Sequence, residues 1–246
     1  MINRPFFSVL TIVKNSETKI LKTLKSVKNQ TCKDYEHVIV DGFSNDQTFK
    51  LIKNFKSNNI KKKQLEDKNL YDGLNNGLKI CNGKYIVCLH SGDIFYSKNI
   101  LKIFKNKLKQ ADYDVLVSGC VFSKKNKIVR TWKTKKNISF FSTFKIPHTG
   151  LYIRKNIINK IGKYNIAYDI SSDADYILRM MKIKRLKILM TNHYSVNMTL
   201  GGLSTSSKNF FKKFLENIKI YYEYYKINFI FIYLYKLLYK LTQFKL

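Results

Sequence analysis

The chain has 246 residues, of which 45% are hydrophobic, so it can fold as one large domain with a real core. Its 46 Lys and Arg residues against 16 Asp and Glu residues give a net charge of +30. This charge favours polyanionic partners such as nucleic acid, anionic lipid or a phosphorylated substrate, although the composition bias of an AT-rich genome would also produce it. The cysteine spacing excludes a metal or redox motif and indicates buried, reduced thiols at Cys32, Cys81, Cys88 and Cys120.

Strand and helix patterns alternate over the first 90 residues. Apolar runs rich in strand formers predict strands at residues 6–13, 36–40, 63–66 and 85–89. Helical spacing of apolar residues predicts helices at residues 17–29, from 46 or 48 to 55, and at 71–81. Ser16 is the predicted N-cap of the first helix. This alternation is typical of an α/β fold, with a mainly parallel sheet flanked by helices.

The second half of the chain has a looser pattern. We predict a helix at residues 100–108, a hairpin of strands at 115–122 and 128–132, a strand at 151–153, a helix at 175–183 and a short strand at 186–190. From residue 210 to the end the pattern is that of one or two long helices. We therefore expect one α/β domain over residues 1–205 and a helical extension over residues 206–246.

Three acidic residues lie at or shortly after the ends of predicted strands, namely Asp41, Asp72 and Asp93. Ligands of open α/β sheets bind at the carboxyl ends of the strands, so these carboxylates would share one pocket. They suit the base or ribose of a nucleotide and a metal ion on its diphosphate. The alternative for Asp93 is that it only caps the following helix. No P-loop and no dinucleotide fingerprint is present, which argues against a P-loop enzyme and a dinucleotide dehydrogenase.

A second acidic group consists of Asp169, Asp173 and Asp175, close to the start of a predicted helix. A carboxylate held at a helix start can take a proton from a hydroxyl, as a general base does. The alternative is that these acids only cap that helix.

Several motifs, in this order and at this spacing, resemble the family-two glycosyltransferases, especially bacterial exopolysaccharide and lipopolysaccharide enzymes of the colanic acid and amylovoran type. They lie at residues 7–15, 38–46, 66–75, 89–93, 147–148, 172–176 and 201–204. The resemblance implies a GT-A fold, a UDP- or GDP-sugar as donor, a divalent metal (Mg or Mn), and single-displacement transfer with inversion.

The resemblance also implies roles for individual residues. Asp93 would be the metal ligand, with Ser91 as a weak substitute for a family carboxylate. Asp173 would be the catalytic base, preceded by Ser172 where the family usually has Glu. The implied donor-binding residues are Thr11, Asn15, Asp41, Asp72, Ser91 and Gly92. His148, Gly201 and Gly202 would lie near the acceptor or the diphosphate.

The C-terminal tail, residues 206–246, interleaves aromatic and aliphatic residues with lysines. Its longest uncharged stretch, residues 227–235, has nine residues, whereas a membrane-spanning helix needs about 20. A basic, aromatic helix can lie on an anionic membrane surface. The alternative is a helix that packs on the domain or on a second subunit.

We therefore expect an enzyme that transfers one sugar from a nucleotide-sugar to a hydroxyl of a lipid-linked glycan, in surface polysaccharide or lipopolysaccharide biosynthesis. No signal-peptide pattern begins the sequence, so the expected location is cytoplasmic, peripheral at the inner face of the cell membrane. One rival hypothesis is a non-catalytic polyanion or RNA binder, but no specific nucleic-acid motif supports it. The other is a sugar nucleotidyltransferase, which would need a Gly-rich, basic first loop.

Overall fold

A nine-stranded sheet with helices on both faces forms the centre of the computed structural model, which describes residues 4–125, 127–134, 138–200 and 209–244. The strands are β1 (Phe7–Val13), β2 (Tyr35–Asp41), β3 (Ile60–Gln64), β4 (Tyr85–Cys88), β5 (Ile94–Phe95), β6 (Val115–Lys124), β7 (Lys127–Trp132), β8 (Leu151–Arg154) and β9 (Ile188–Thr199). The helices are α1 (Ile20–Lys28), α2 (Thr48–Asn54), α3 (Leu70–Ile80), α4 (Ile100–Lys109), α5 (Lys155–Ile161), α6 (Ser172–Met181), α7 (Phe210–Tyr225) and α8 (Phe229–Leu241).

The first four strands form a parallel half-sheet in the order β3-β2-β1-β4. Strands β1 and β2 pair along their whole length, from Phe7 opposite Tyr35 to Val13 opposite Asp41. Every residue of these two strands is buried because helices cover both faces of the sheet. The parallel sheet predicted for the first 90 residues is confirmed, and each predicted strand and helix there lies within three residues of an observed one.

The second half of the sheet is mixed rather than parallel. Strand β8 runs antiparallel between β4 and β6, whereas β9 runs parallel to β6. The predicted hairpin is confirmed as β6 and β7. Strand β9 continues to Thr199, although the sequence predicted an end at Met190. The exposed polar residues Asn192 and His193 interrupt the apolar run on which that prediction depended.

Helices α7 and α8 pack on the sheet domain. Their buried side chains share an apolar core with Phe144 and Leu178, and these side chains are Ile220, Tyr221, Tyr225, Ile232 and Tyr239. The carboxylate of Glu216 on α7 accepts hydrogen bonds of 2.8 to 3.0 Å from three successive backbone N–H groups, at residues 169–171. Of the alternatives for the tail, packing on the domain is therefore observed, although α8 also leaves one face exposed.

Candidate functional site

Asp41 is the last residue of β2 and lies at the edge where the parallel strands end. Its carboxylate is fully buried and accepts hydrogen bonds of 2.9 Å from the backbone N–H of Ser44 and from Gln64 Nε2. These bonds fix the turn that follows β2. Within that turn Phe43 has a φ of 54°, and its ring is 53% exposed. A bulky residue in the left-handed region is strained, and such strain is typical of functional sites.

Asp67 lies at the same edge, three residues after β3 ends. It packs directly on Gly42, where a Cβ atom would come within 2.2 Å of Asp67 Oδ2, so a larger residue cannot replace this glycine without a shift. Burial raises the pKa of Asp67, and Lys14, whose Nζ is 3.7 Å from Asp67 Oδ1, opposes that effect. Asp67 was not among the predicted residues, although it follows a predicted strand directly, as Asp41 does.

Asp72 lies in the first turn of α3, near Asp67. Asn69 caps the helix by accepting hydrogen bonds of 3.1 Å from the backbone N–H groups of Tyr71 and Asp72. The carboxylate of Asp72 accepts a further bond of 3.1 Å from the backbone N–H of Lys68. Its negative charge raises the pKa of Asp67, so the two carboxylates lie near each other.

Two other predicted donor-binding residues differ in accessibility. Thr11 is fully buried, and its hydroxyl donates to the carbonyl oxygen of Leu89 at 2.8 Å, so it links β1 to the end of β4 from beneath the edge. Asn15 is exposed and has a φ of 47°. Its side-chain oxygen accepts from the backbone N–H of Asn45 at 3.0 Å, which joins the loops after β1 and β2.

The turn after β4 contains Ser91, Gly92 and Asp93. Gly92 has a φ of 92°, in the region that favours glycine, and its N–H donates to Thr23 Oγ1 at 2.9 Å. The hydroxyls of Ser91 and Ser16 are 2.7 Å apart. The predicted N-cap is therefore wrong, because the Ser16 side chain contacts this turn, and α1 begins at Ile20 without a side-chain cap.

Asp93 is only 5% exposed, and its Oδ1 accepts a hydrogen bond of 3.0 Å from the backbone N–H of Thr199 in β9. The N-cap of α4 is Asn99, so the alternative that Asp93 caps that helix is wrong. Burial raises the pKa of Asp93 to about 7, although the bond from Thr199 and the positive charge of Lys22 oppose this. A nearby cation would favour the ionised form of such a carboxylate.

The donor atoms around Asp93 suit a metal that arrives with its substrate. No group of three or more His, Cys, Asp or Glu side chains that could hold a metal occurs within the described part of the chain. The turn offers one carboxylate and, two residues earlier, the Ser91 hydroxyl. Magnesium is commonly held by one or two carboxylates, with substrate phosphates and water as the other ligands. The residues present therefore fit a divalent cation bound together with a diphosphate.

Asp173 lies in the first turn of α6, with its Oδ1 3.5 Å from the hydroxyl of Tyr71. Two histidines lie close enough for its charge to raise their pKa values, although burial lowers both pKa values overall, that of His90 to about 4. The rings of His90 and His148 stack with centroids 6.0 Å apart, and His148 Nε2 is 2.7 Å from the hydroxyl of Tyr164. Asp173 therefore lies near two neutral histidines, of which His90 belongs to the turn after β4.

The other two acids of this group have partners elsewhere. Asp175 binds Arg179 at 2.8 Å and accepts a hydrogen bond of 2.7 Å from the hydroxyl of Tyr224. Asp169 forms an ion pair with Lys212. The N-cap position of α6 is Ser171, so none of the three acids is the capping residue. Asp173 is thus the acid of the group that lies beside the histidine pair.

The last three residues of the sequence-based site are Ser172, Gly201 and Gly202. Ser172 is fully buried, and its Oγ has no hydrogen-bond partner among the residues that the structure describes. Gly201 and Gly202 lie outside the described residues, so their roles stay predictions.

The C-terminal helices also contact the start of α6, and the sequence did not predict this contact. Lys236 on α8 donates to Asn217 Oδ1 at 2.5 Å, and Asn217 in turn donates to the hydroxyl of Ser171 at 3.1 Å. Burial lowers the pKa of Lys236 to about 7, while the charge of Asp173 raises it. The tail therefore contributes a lysine that connects through Asn217 to Ser171, and that lies within electrostatic range of the candidate base.

Comparison with known proteins agrees with this geometry. Residues 8–174 match the model of a family described as Glycosyl transferase family 2. The PGL/p-HBAD biosynthesis glycosyltransferase of Mycobacterium tuberculosis is 26% identical over 220 residues, which cover 85% of this chain and 84% of that protein.

Two solved proteins have a similar fold. S. aureus TarS 1–349 in complex with UDP matches with a TM-score of 0.69 and 19% identity, over 89% of this chain and 66% of that chain. The mannosyltransferase PcManGT from Pyrobaculum calidifontis, in complex with GDP-Man and Mn²⁺, matches with a TM-score of 0.67 and 13% identity, over 89% of this chain and 64% of that chain. This chain thus spans slightly less than two thirds of either one. The expected GT-A fold is confirmed.

Proposed function

Since the chain belongs to glycosyl transferase family 2, we propose that it transfers a single sugar, with inversion, from a UDP- or GDP-sugar to a hydroxyl of a glycan acceptor. One observation carries this proposal. Asp41, Asp67 and Asp93 follow the ends of three parallel strands, and Asp173 lies near His90 in the turn after the last of these strands. Carboxylates grouped at this edge would suit the nucleoside and the diphosphate of a nucleotide-sugar and the attacking hydroxyl of an acceptor.

The buried pair Asp41 and Asp67 would bind the nucleoside, since carboxylates accept hydrogen bonds from base N–H groups and ribose hydroxyls. Asp72 and Asn15 would lie at the border of this nucleoside site. The exposed ring of Phe43 offers a face on which a base can stack. In solved neighbours of the same fold, the ligands are UDP, UDP-GlcNAc and GDP-Man, which supports a nucleotide-sugar donor here.

Asp93, with Ser91, would hold a divalent cation beside the diphosphate. Such an ion, when bound, neutralises negative charge on the departing diphosphate. The Mn²⁺ in the mannosyltransferase of similar fold supports this assignment. Gly92 lets the backbone turn sharply between these two side chains.

Asp173 would act as the general base. Its carboxylate takes the proton of the acceptor hydroxyl while that oxygen attacks the anomeric carbon from the face opposite the diphosphate. A new carbon–oxygen bond forms as the bond from the anomeric carbon to the diphosphate breaks, and the electron pair leaves on the diphosphate. The attack from the opposite face inverts the anomeric configuration. His148 and the segment with Gly201 and Gly202 would contact the acceptor or the diphosphate.

We further propose that the acceptor is a lipid-linked glycan in surface polysaccharide or lipopolysaccharide biosynthesis, and that transfer occurs at the inner face of the cell membrane. The sequence resemblance to enzymes of those pathways supports this assignment. Within the described residues, no helix is both long and apolar enough to cross a bilayer.

The proposal is tested by thermal unfolding of the full chain with a panel of UDP- and GDP-sugars, with Mn²⁺ or with excess chelator. A ligand that binds only the folded state at 100 times its dissociation constant adds about 2.7 kcal/mol to the free energy of unfolding. We expect one donor class to raise the unfolding temperature with Mn²⁺ and much less with chelator. Free sugars and nucleosides without a diphosphate are the controls. If no nucleotide-sugar changes the unfolding temperature, the proposal is wrong.

A further inference from the structure

Helix α8 and the turn before it expose a continuous apolar surface. Of the 17 large apolar side chains that stay exposed in the described residues, 13 lie within residues 210–244. Six of them recur at helical spacing and form what we call the α8 stripe, namely Ile227, Ile230, Phe231, Leu234, Leu238 and Leu241. Ile227 is 86% exposed and Phe231 is 73% exposed, so the fold of the single chain does not bury them.

The opposite face of α8 is anchored to the domain. Ile232 and Tyr239 are buried in the core shared with Phe144. Tyr239 also donates to the carbonyl oxygen of Lys133 at 3.1 Å. The helix is therefore held in place without the stripe, which remains available to a partner.

A groove beside the α8 stripe extends the apolar surface onto the domain. It has a volume of about 820 Å³, and Ile138, Phe141, Phe231 and Tyr235 line it. Lys145, a further residue of its lining, is buried, and its ammonium donates to the hydroxyl of Tyr235 at 2.7 Å. The groove thus adds mainly apolar area to the surface, which suits the apolar part of an amphiphile.

Charge selects among the partners that would cover this surface. Glu223 is the last acidic residue of the chain, whereas Lys226, Lys240 and Lys245 follow it, besides Lys236 on the anchored side of α8. A second copy of the chain would bring another net charge of +30 to the interface, and the two copies would repel each other. An anionic lipid surface attracts such a segment through the lysines that lie near the headgroups.

The length of α8 fixes its orientation relative to a bilayer. Its 13 residues span about 20 Å, at 1.5 Å per residue, which is less than the hydrocarbon thickness of about 30 Å. A helix of this length with one apolar face lies in the plane of the headgroups.

We propose that the α8 stripe docks the protein on an anionic membrane surface, and that the acceptor hydroxyl is therefore on a short glycan close to that surface. This inference rests on the proposed function. Lys236 lies on the anchored side of α8 and connects through Asn217 to Ser171, just before the helix that carries Asp173. From the docked surface, the helix that carries the base is thus reached through contacts of α8 with α7 and of α7 with the start of α6. An acceptor sugar far along a long polymer would not need a base that lies close to the membrane.

The test is flotation of the full chain with phosphatidylglycerol vesicles, with phosphatidylcholine vesicles as the uncharged comparison. The variant Phe231→Ser with Leu234→Ser shortens the stripe without adding charge. Its matched control is Tyr96→Ser with Ile166→Ser, two exposed side chains on the sheet domain. We expect wild type and control to float with phosphatidylglycerol, and the stripe variant to partition at least about tenfold more weakly, since each side chain buries apolar area.

Circular dichroism and donor-induced thermal stabilisation, measured on the same samples, separate folding and donor binding from docking. The membrane inference is overturned if wild type does not float at moderate salt, or if the stripe variant floats as well as wild type. A wild-type dimer in light scattering that the stripe variant abolishes, without flotation, assigns the stripe to a second copy instead. Flotation without any donor-induced stabilisation contradicts the proposed function and leaves docking in place.

Discussion

Asp93 is the residue at which the metal assignment can be tested most simply. In Asp93→Asn the amide oxygen can still accept the hydrogen bond from Thr199, while the buried charge is lost. We expect turnover of the donor to fall by about 100-fold or more, because one ligand of the cation is missing. The unfolding temperature should stay the same or rise, since a buried carboxylate is costly to ionise. Turnover that is unchanged in this variant, or in excess chelator, contradicts the assignment.

Asp173 and Asp175 separate a catalytic role from a structural one. Asp173→Asn removes the proton acceptor, so kcat should fall by about 100-fold or more while donor binding is kept. Asp175→Asn weakens the bonds to Arg179 and Tyr224 and should mainly lower the unfolding temperature. The kcat and the unfolding temperature are measured for both variants. A normal kcat in Asp173→Asn with a crippled Asp175→Asn would show that the base is assigned to the wrong carboxylate.

Phe43 has a strained backbone and an exposed side chain. We therefore expect its substitution to have opposite effects on stability and on donor binding. Asn tolerates the left-handed region better than Phe, so Phe43→Asn should raise the free energy of unfolding by about 1 kcal/mol. Loss of a stacked base should weaken donor binding by about tenfold, since stacking contributes about 1–3 kcal/mol. Denaturant unfolding and donor titration measure the two effects. Unchanged affinity would exclude Phe43 from the donor site.

Individual residues were predictable where the signal was local. The ends of predicted strands located Asp41 and Asp93, and the same rule applied to Asp67 would have found it as well. Lys236 could not be found in this way, because its place beside Asp173 depends on the packing of the tail on a segment about 60 residues earlier. Asp173 was distinguished from Asp175 on family resemblance in the sequence. In the structure the two acids have different partners, and the choice of Asp173 stays a prediction.

At the scale of elements, the α7–α8 pair contains a lysine whose burial predicts pH-dependent stability. The folded-state pKa of Lys236 is lowered to about 7, and Lys213 and Lys240 lower it further whereas Asp173 opposes them. Between pH 7 and the ordinary lysine pKa, the unfolded chain binds a proton that the folded chain does not. The contribution of Lys236 to the free energy of unfolding therefore rises with pH in this range, and its burial is costliest below pH 7.

The matched variant is Lys236→Met, which keeps the length of the side chain and removes the titration. The free energy of unfolding of wild type minus that of the variant should increase by on the order of 2 kcal/mol between pH 7 and pH 10. This magnitude allows for a side chain that is partly exposed. Denaturant unfolding at several pH values gives this difference. A difference that does not change with pH would mean that the ammonium is not buried in solution.

Elements with strong periodicity were predicted well, whereas those defined by their neighbours were not. The alternating first half of the chain was located to within three residues. Strand β9 is stabilised by pairing with β6, which is far away in the sequence. Its polar residues interrupt the apolar pattern, so the sequence alone did not predict its full length. The apolar residues of α8 predicted a helix, but only the structure shows that one face is buried and the other exposed.

At the scale of the whole molecule, the parallel direction of the first four strands followed from the sequence, because a helix between two strands returns the chain to start the next strand in the same direction. The mixed half was not predictable, since β8 pairs with both β4 and β6, far apart in the chain. The net charge of +30 agrees with a protein that binds a diphosphate and an anionic surface. Composition alone could not distinguish those partners from nucleic acid.

The central claim is that the edge of the sheet binds a nucleoside diphosphate through Asp41 and Asp67. Calorimetric titration of the full chain with UDP and GDP in the presence of Mn²⁺ tests it directly, with Asp67→Asn as the variant and Asp112→Asn as the control. Asp112 is exposed and pairs with Arg154 away from this edge. We predict that wild type and control bind one of the two nucleotides equally, and that Asp67→Asn binds it about 10- to 100-fold more weakly, as expected for the loss of a hydrogen bond to a charged group. Equal affinity in all three proteins, or no binding by wild type, would contradict the account.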